Sequence, residues 1–431
     1  MNTSMLAQRL LIRETRGLLA RLDQVQPFAL NMPSVPAAAI PVEAQAAIER
    51  HMARIKQRLR TAIFVFLRWL RNPMAARKSD DAQRRYVLLK LQFNALITQF
   101  DIFADVLSQR SEHETGVWVA GLDDLAADAM RFPGMPFKPP PVVCYLDRGH
   151  GAAIRRLRTR LPGGDPNPVA VINVPRERMV GSGIASSLVH EVGHQVAALL
   201  DLSASLKPVL QRMQSIGPPD DKLAWFAWER WISEILADLW SVGKLGVGAT
   251  TGLMAVVSLP RPFVFRLDME DPHPFPWIRV KLSIAIGKTL YPGSQWDRLN
   301  AVWERLYPRA GLPAQILQWL RRLERVMPAF VSLLINHRPR SLRGRRLRDV
   351  LPTDERTPQK LRTWFSEHRA KWPRWLGTSP TGTMAVIGQA RLDDRLNSTD
   401  ERELMKRLLT TWSVRSALQR AQHCGTLSGP V

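Results

Sequence analysis

Apolar residues recur three and four positions apart over residues 5–24, 43–72 and 82–109, the spacing that gathers them on one face of a helix. A proline- and alanine-rich stretch at 27–41 and the polar loop NPMAARKSDD at 72–81 separate these segments, and GLDDLAADAM at 121–130 continues the helical pattern. The run FPGMPFKPPP, Phe132 to Pro141, breaks all regularity and is the best candidate boundary. Two strand-like runs follow: PVVCYLD, ending at Asp147, and NPVAVINVPRE, Asn167 to Glu177. Between them GAAIRRLRTRL reads as helix and PGGDPNP as turn. Helical spacing then returns over 183–202 and 204–215, in a long helix starting near Lys222, in the uncharged stretch 245–259, and over 277–290, 296–306 and 312–335. The proline-bearing segments Leu351–Pro358 and Pro373–Pro380 separate small helices, and Asp400–Ala421 is a last amphipathic one. The pattern predicts a mainly α (α+β) fold. A small sheet and a buried helix occupy a central region, 140–335, between an N-terminal helical region, 1–131, and a basic C-terminal helical region, 336–431.

The buried helix carries chemistry. In SSLVHEVGHQVAALLDL, Ser186 to Leu202, the residues Leu188, Val189, Val192, Val196, Leu199 and Leu200 make it apolar almost all round, with Ser182 placed as N-cap. His190 and His194 lie four apart, so their rings project from one face about one turn apart and suit a single small cation. Glu191, turned by about 100° from His190, sits beside such a cation, where it can take a proton from water. Two histidines and a glutamate on an apolar helix are costly unless something satisfies them, and a metal does so.

A catalytic zinc site needs a third protein ligand and an open position. In WFAWERWISEILADLWSVGKLG, Trp225 to Gly246, the residues Trp228, Trp231, Ile235 and Leu239 form one face and Glu234 and Asp238 another. Glu234 is the preferred ligand, because it has an aspartate at i+4, which can orient a ligand histidine, and a small neighbour, Ala237. Glu229 competes for the role.

His190-Glu191-x-x-His194 followed by Glu234-x-x-x-Asp238 resembles the gluzincin metallopeptidases, and HPFPWIR, His273 to Arg279, is similar to the His-Pro…Arg element of the HtpX-like and CAAX-prenyl-endopeptidase branch. The resemblance covers roughly residues 167–285. It implies a zincin-like core and a zinc-dependent endopeptidase acting on a protein or peptide. His273 and Arg279 would lie near the substrate carbonyl and the carboxylates of the site. An extended substrate would pair with an edge strand, placed at Asn173–Pro175. The branch usually carries transmembrane helices, and its membrane location is not carried over: Ala62–Leu70 contains Arg68, and the 15 uncharged residues of Leu245–Leu259 fall short of a span and read as a core helix.

Charge adds a rival reading. The net charge is +23, and HRPRSLRGRRLRDV, His337 to Val350, holds six arginines, so an anionic partner through the Arg338–Arg348 cluster is a second expectation. A nucleic-acid-binding or assembly role, or a metal site that is only a scaffold, are the alternatives to a peptidase. No aromatic is interleaved in the cluster to stack on bases. The two cysteines, Cys144 and Cys424, are far apart and fit a reducing, cytoplasmic setting. The N-terminus lacks the long apolar run and cleavage site of a signal peptide. The N-terminal helices, joined through the 27–41 and 132–141 linkers, are candidates for a lid.

Overall fold

The computed structural model describes residues 3–72, 78–148, 152–176 and 181–427, so part of the 72–81 loop, Gly151 and Glu177 lie outside the described residues, as does the side chain of Cys424. Three long helices come first: α1 (Thr3–Asp23), α2 (Val42–Leu70) and α3 (Ser79–Ser108). Each turns its apolar stripe inward, as Leu11, Thr15, Leu18 and Leu22 of α1 illustrate. Their shared cluster ends on Val143, Val169 and Val171 of the sheet. Helix α4 (His113–Met130) starts well before the predicted 121–130 and belongs to a second, larger cluster. The second cluster begins at Val119, upstream of Phe132–Pro141, while Val143, Leu161, Val169 and Val171 belong to the first, and Leu342, Met384 and Trp412 of the C-terminal region share the cluster of the central one. Fully buried Arg110 locks the junction. Its guanidinium donates to Asp123 Oδ2 at 2.8 Å and to the carbonyls of Ala38 and Cys144, while Asp123 Oδ1 accepts from the Cys144 amide at 2.7 Å. A buried pair needs this many partners to offset its lost hydration.

The sheet has three strands, β1 (Val142–Asp147), β2 (Ala153–Arg155) and β3 (Ala170–Pro175), in the order β1-β3-β2, with β1 parallel and β2 antiparallel to β3. This corrects two expectations. GAAIRRLRTRL is not a helix: Ile154 pairs with Ile172, and Asn167 holds the carbonyls of Arg155 and Arg156 through its side-chain amide, which keeps the segment extended and then turned. Nor is Asn173 on an edge, because it is paired with Tyr145 on one side and Ala153 on the other. The edge strands are β1 and β2, and β2 is the one next to the histidine helix. It is tied to the histidine helix, since the Leu157 amide donates to Gln195 Oε1 at 2.8 Å.

Helices complete the fold: α5 (Gly183–Leu199), α6 (Leu202–Ile216), α7 (Lys222–Arg230), α8 (Ile232–Leu245), α9 (Val247–Val257), α10 (Pro276–Leu290), α11 (Gln295–Leu306), α12 (Ala314–Asn336), α13 (Pro358–His368), α14 (Pro380–Leu392) and α15 (Ser398–Leu427). The long helix expected from Lys222 is broken into α7 and α8 at Trp231, whose ring is fully buried edge-on to Trp228 and Phe275. The predicted inward face holds: Trp228, Trp231, Ile235 and Leu239 are all buried. Helix α9 is the core helix expected at 245–259, seated between α5 and α14.

Among the described residues one helical stretch, Ser79–Ser111, is long and apolar enough to cross a membrane by length and composition alone, a stretch the sequence reading passed over. Its stripe of Tyr86, Leu89, Leu96 and Phe103 is buried in the bundle, whereas Val87, Leu88 and Leu91 face outward. In the arginine cluster, Arg345 donates to the carbonyls of Pro133 and Gly134, Arg338 to that of Gly344, and Arg346 pairs with Asp349. Half of its six arginines thus tie loops together; Arg340 and Arg343 are exposed.

Asp124 of α4 accepts a hydrogen bond from Ser416 of α15 at 2.7 Å beside a cavity of about 500 Å³. Burial, with Asp123 next to it, raises its carboxyl from 3.8 to about 6, despite the Ser416 bond and the charges of Arg420 and Arg131. The folded state therefore binds a proton between about pH 4 and 6 that the unfolded state releases, and stability falls as pH rises through that window. Asp124→Asn is expected to stabilise the protein by about 3 kcal/mol at pH 7.5 and by nothing at pH 3.5. Denaturant midpoints of both proteins at the two pH values check this; an equal shift at both would contradict it.

Candidate metal centre

The site forms where α5 crosses α8. Gly193, between Glu191 and His194, has no side chain, and a Cβ there would lie 2.8 Å from the Ala237 Cα and 3.0 Å from its carbonyl oxygen. Ala237 in turn sits between Glu234 and Asp238. The close approach of these two small residues brings the polar side chains beside them together. His190 Nε2 lies 3.3 Å from Glu234 Oε2, and His194 Nε2 lies 3.2 Å from Glu234 Oε1, with the imidazoles nearly perpendicular. The donor atoms of His190, His194 and Glu234 all lie within 4.8 Å of one another, and the group could hold a metal ion. Glu229, the competing ligand, is on α7 and accepts from Gln211 and Gln214 of α6 instead.

The far nitrogen of each histidine faces a partner, for His190 Nδ1 a charge contact outside hydrogen-bond geometry. His190 Nδ1 lies 2.8 Å from Asp238 Oδ1, and Ser233 Oγ is 3.5 Å from His194 Nδ1. Such partners fix the ring orientation and leave the two Nε2 atoms facing Glu234. Arg279 of α10 is nearly buried. Its Nε donates to Asp238 Oδ2 at 2.7 Å and its Nη2 to Asp238 Oδ1 at 3.0 Å, while Nη2 also reaches Glu234 Oε2 and His190 Nε2 at 3.5 Å. Arg279 thus braces the carboxylates from behind. His273 stands at the open side, about half exposed, with Nε2 3.3 Å from Glu234 Oε2. Asp271 presents it: Asp271 Oδ1 accepts from the His273 amide at 2.9 Å and lies 2.7 Å from Nδ1.

Burial works against every charge here, and the partners decide the outcome. Burial alone would lower His190, but Asp238 and Glu234 raise it to about 9. Burial would raise Asp238, yet Arg279 and His190 bring it down to about 2. Glu234 is likewise driven well below the carboxylate range by its two histidines. Glu191 behaves differently: burial pushes its carboxyl up, and His190 and His194 offset this only in part. One cluster thus holds two firmly ionised carboxylates and one that takes up protons more readily.

All the residues singled out in the sequence, His190, Glu191, His194, Glu234, Asp238, His273 and Arg279, stand in this cluster or line the recess beside it. Four residues escaped that reading. Asp271 was visible as Asp-x-His; Ser233 and Gln195 had no separate signal. Glu401 of α15 is 219 positions away: its Oε1 accepts from the Ser182 amide at 2.7 Å and from the Ser182 hydroxyl at 2.5 Å. Ser182 therefore does not cap α5 with its own side chain as expected. A buried carboxylate from the C-terminal helix takes that place, where negative charge suits the helix dipole.

No family model, no curated protein and no solved structure matches this chain.

Gly193→Ala is expected to force α5 from α8 and reduce metal affinity at least about tenfold, with about 1–3 kcal/mol lost in stability, because the atoms it meets are the Ala237 backbone and the Trp240 Cβ, which cannot swing away. Asp238→Asn should weaken metal binding by about 10–100-fold by releasing the His190 ring. Competition of each variant with a chromophoric chelator reads both effects, and wild-type affinity in either would refute the geometry.

Proposed function

We propose that this protein is a zinc-dependent peptidase. The observation that carries the reading is the convergence of His190 Nε2, His194 Nε2 and a Glu234 oxygen within 4.8 Å, with the buried Glu191 on the same helix turn. Two imidazoles and one carboxylate suit Zn²⁺, and three protein ligands leave a position open, the pattern of catalytic rather than structural zinc. Zinc held there would polarise a substrate carbonyl and acidify water.

The remaining roles fall to the chain itself. Glu191 takes the proton of the attacking water and returns it to the leaving amine, a task suited to a carboxyl raised by burial. His273, oriented by Asp271, donates from Nε2 to the carbonyl oxygen as that oxygen gains charge. Asp238 holds the His190 ring, and Arg279 holds Asp238 and Glu234. The outer edge of β2, unpaired among the described residues and next to Ala152, which lines the recess with His190 and Glu191, would pair with an extended peptide.

A site serving only as scaffold has no use for Glu191. The expected result is about one zinc per wild-type chain, lost in His194→Ala and Glu234→Ala. Glu191→Gln should retain zinc and lose peptide cleavage by at least about 100-fold, the scale of general-base catalysis. Elemental analysis and mass spectrometry of a digested peptide pool measure both. Retained cleavage in Glu191→Gln would end the proposal, as would a wild-type chain without zinc.

A further inference from the structure

The cavity beside Asp124 is separate from the metal centre: among the described residues the two share no lining side chain. Its volume of about 500 Å³ lies within the roughly 300–1,000 Å³ of a site that encloses a small molecule. The turn entering α2, helix α4, the proline run before β1 and helix α15 build it together.

Part of the wall is apolar and rigid. Pro41, Pro139, Pro140 and Pro141 line it with Ala120 and Leu157. Proline rings fix the backbone, and the Pro141 carbonyl is held by the Ala170 amide at 3.2 Å, so this wall is preformed.

The rest is charged, and the charges do not cancel. Arg131, Lys138 and Arg420 line the cavity with Glu43 and Asp124. Asp123 reaches it too, but Arg110 and the Cys144 amide occupy that carboxylate. Three cations against two carboxylates leave a surplus of one positive charge. Arg420 donates to the Ala39 carbonyl at 3.2 Å, and among the described residues no carboxylate lies within ion-pair distance of the three cations. The hydroxyls are committed: Ser416 donates to Asp124, and Ser413 to the Ala37 carbonyl. Pro41, the N-cap of α2, offers no side-chain acceptor to the first turn of that helix, whose dipole adds to the positive sign.

A second cavity, of about 430 Å³, adjoins across Asp124, Arg131 and Ser416. Trp412 lines it, 5% exposed, and its indole N–H has no acceptor among the described residues. Surplus positive charge and a buried donor without an acceptor both call for an anion.

We propose that the cavity between α4 and α15 binds an organic monocarboxylate, its carboxylate at Arg131, Lys138 and Arg420 and its apolar chain against the prolines. A dianion would exceed the surplus charge and crowd Asp124 and Glu43. The site depends neither on a metal nor on peptidase activity.

The test titrates octanoate into the full-length protein at pH 7.5 by isothermal calorimetry, with acetate, octylammonium and octyl phosphate as comparators. One octanoate should bind per chain, at least about tenfold more tightly than acetate or octylammonium and more tightly than octyl phosphate. Arg131 and Lys138 are exposed, so Arg131→Glu with Lys138→Glu leaves the core intact and should weaken binding at least about tenfold. Asp124→Asn removes a negative charge next to the carboxylate and should tighten binding at least about threefold. His194→Ala should bind as wild type does. Octylammonium binding as well as octanoate, or weaker octanoate binding in Asp124→Asn, would make this a cation site and overturn the proposal. Loss of binding in His194→Ala would put the anion at the metal centre, and tighter binding of octyl phosphate would rule out the monoanion. Absence of binding, or several octanoates per chain unaffected by the double substitution, the mark of simple attraction to a net charge of +23, would also overturn it.

Discussion

The contact between Gly193 and Ala237 constrains everything at the centre of this molecule. Helices with ordinary side chains at a crossing pack with axes about 8–10 Å apart. A glycine against an alanine lets the backbones come closer, and only then do His190 and His194 on one helix meet Glu234 on the other. The spacing within each helix supplies the rest. Ligands four apart on α5 project one turn apart, and Glu234 and Asp238, four apart on α8, serve the front and back of the same ring. The same device recurs at Gly252 against Ser186 and at Gly248 against Gly388, so α9 is held as tightly as the helices bearing the ligands.

The electrostatics follow from that packing. Glu234 and Asp238 are held ionised in a place that disfavours charge, and among the described residues Arg279 is a fixed cation between them. With neutral histidines, the two carboxylates and the guanidinium leave a net negative charge before Glu191 is counted. A buried excess of that sign is costly unless protons or a cation balance it. Without a metal, a proton on His190 would take that part, because Asp238 and Glu234 raise its pKa. A dication would do the same and release the proton, so metal binding and protonation compete for one cluster.

Much of this was legible in the sequence, because it depends on short-range spacing. The histidine pair, the carboxylate pair and the His-Pro…Arg element each lie within one helix or one loop-to-helix segment, where residue intervals translate directly into faces. The long N-terminal helices and the core helix at 247–257 were read for the same reason. Errors arose where tertiary pairing overrides local pattern. Ile154, Leu157 and Leu161 have a helical interval, yet pairing with β3 and the Asn167 amide draw the segment into an edge strand and turn. The break at Trp231 falls inside an unbroken apolar spacing, so the spacing that puts this tryptophan on the inward face gives no sign of it. Glu401 was out of reach, since nothing local says that a glutamate near the C-terminus will meet Ser182.

That last contact bears on how the chain is organised. The C-terminal region reads from composition as a basic appendage, but α15 is joined to α4 by Ser416 on Asp124, to α5 by Glu401 on Ser182, and to the Pro36–Ala38 turn by Ser413 on the Ala37 carbonyl. Arg391 of α14 lies 3.3 Å from Glu401, so that carboxylate is balanced on one side by a guanidinium and on the other by the start of the histidine helix. A region that merely carried positive charge to a partner would not need a buried glutamate aimed at the helix bearing His190. The arginine excess lies on the surface of a body whose larger core is arranged around the crossing of α5 and α8.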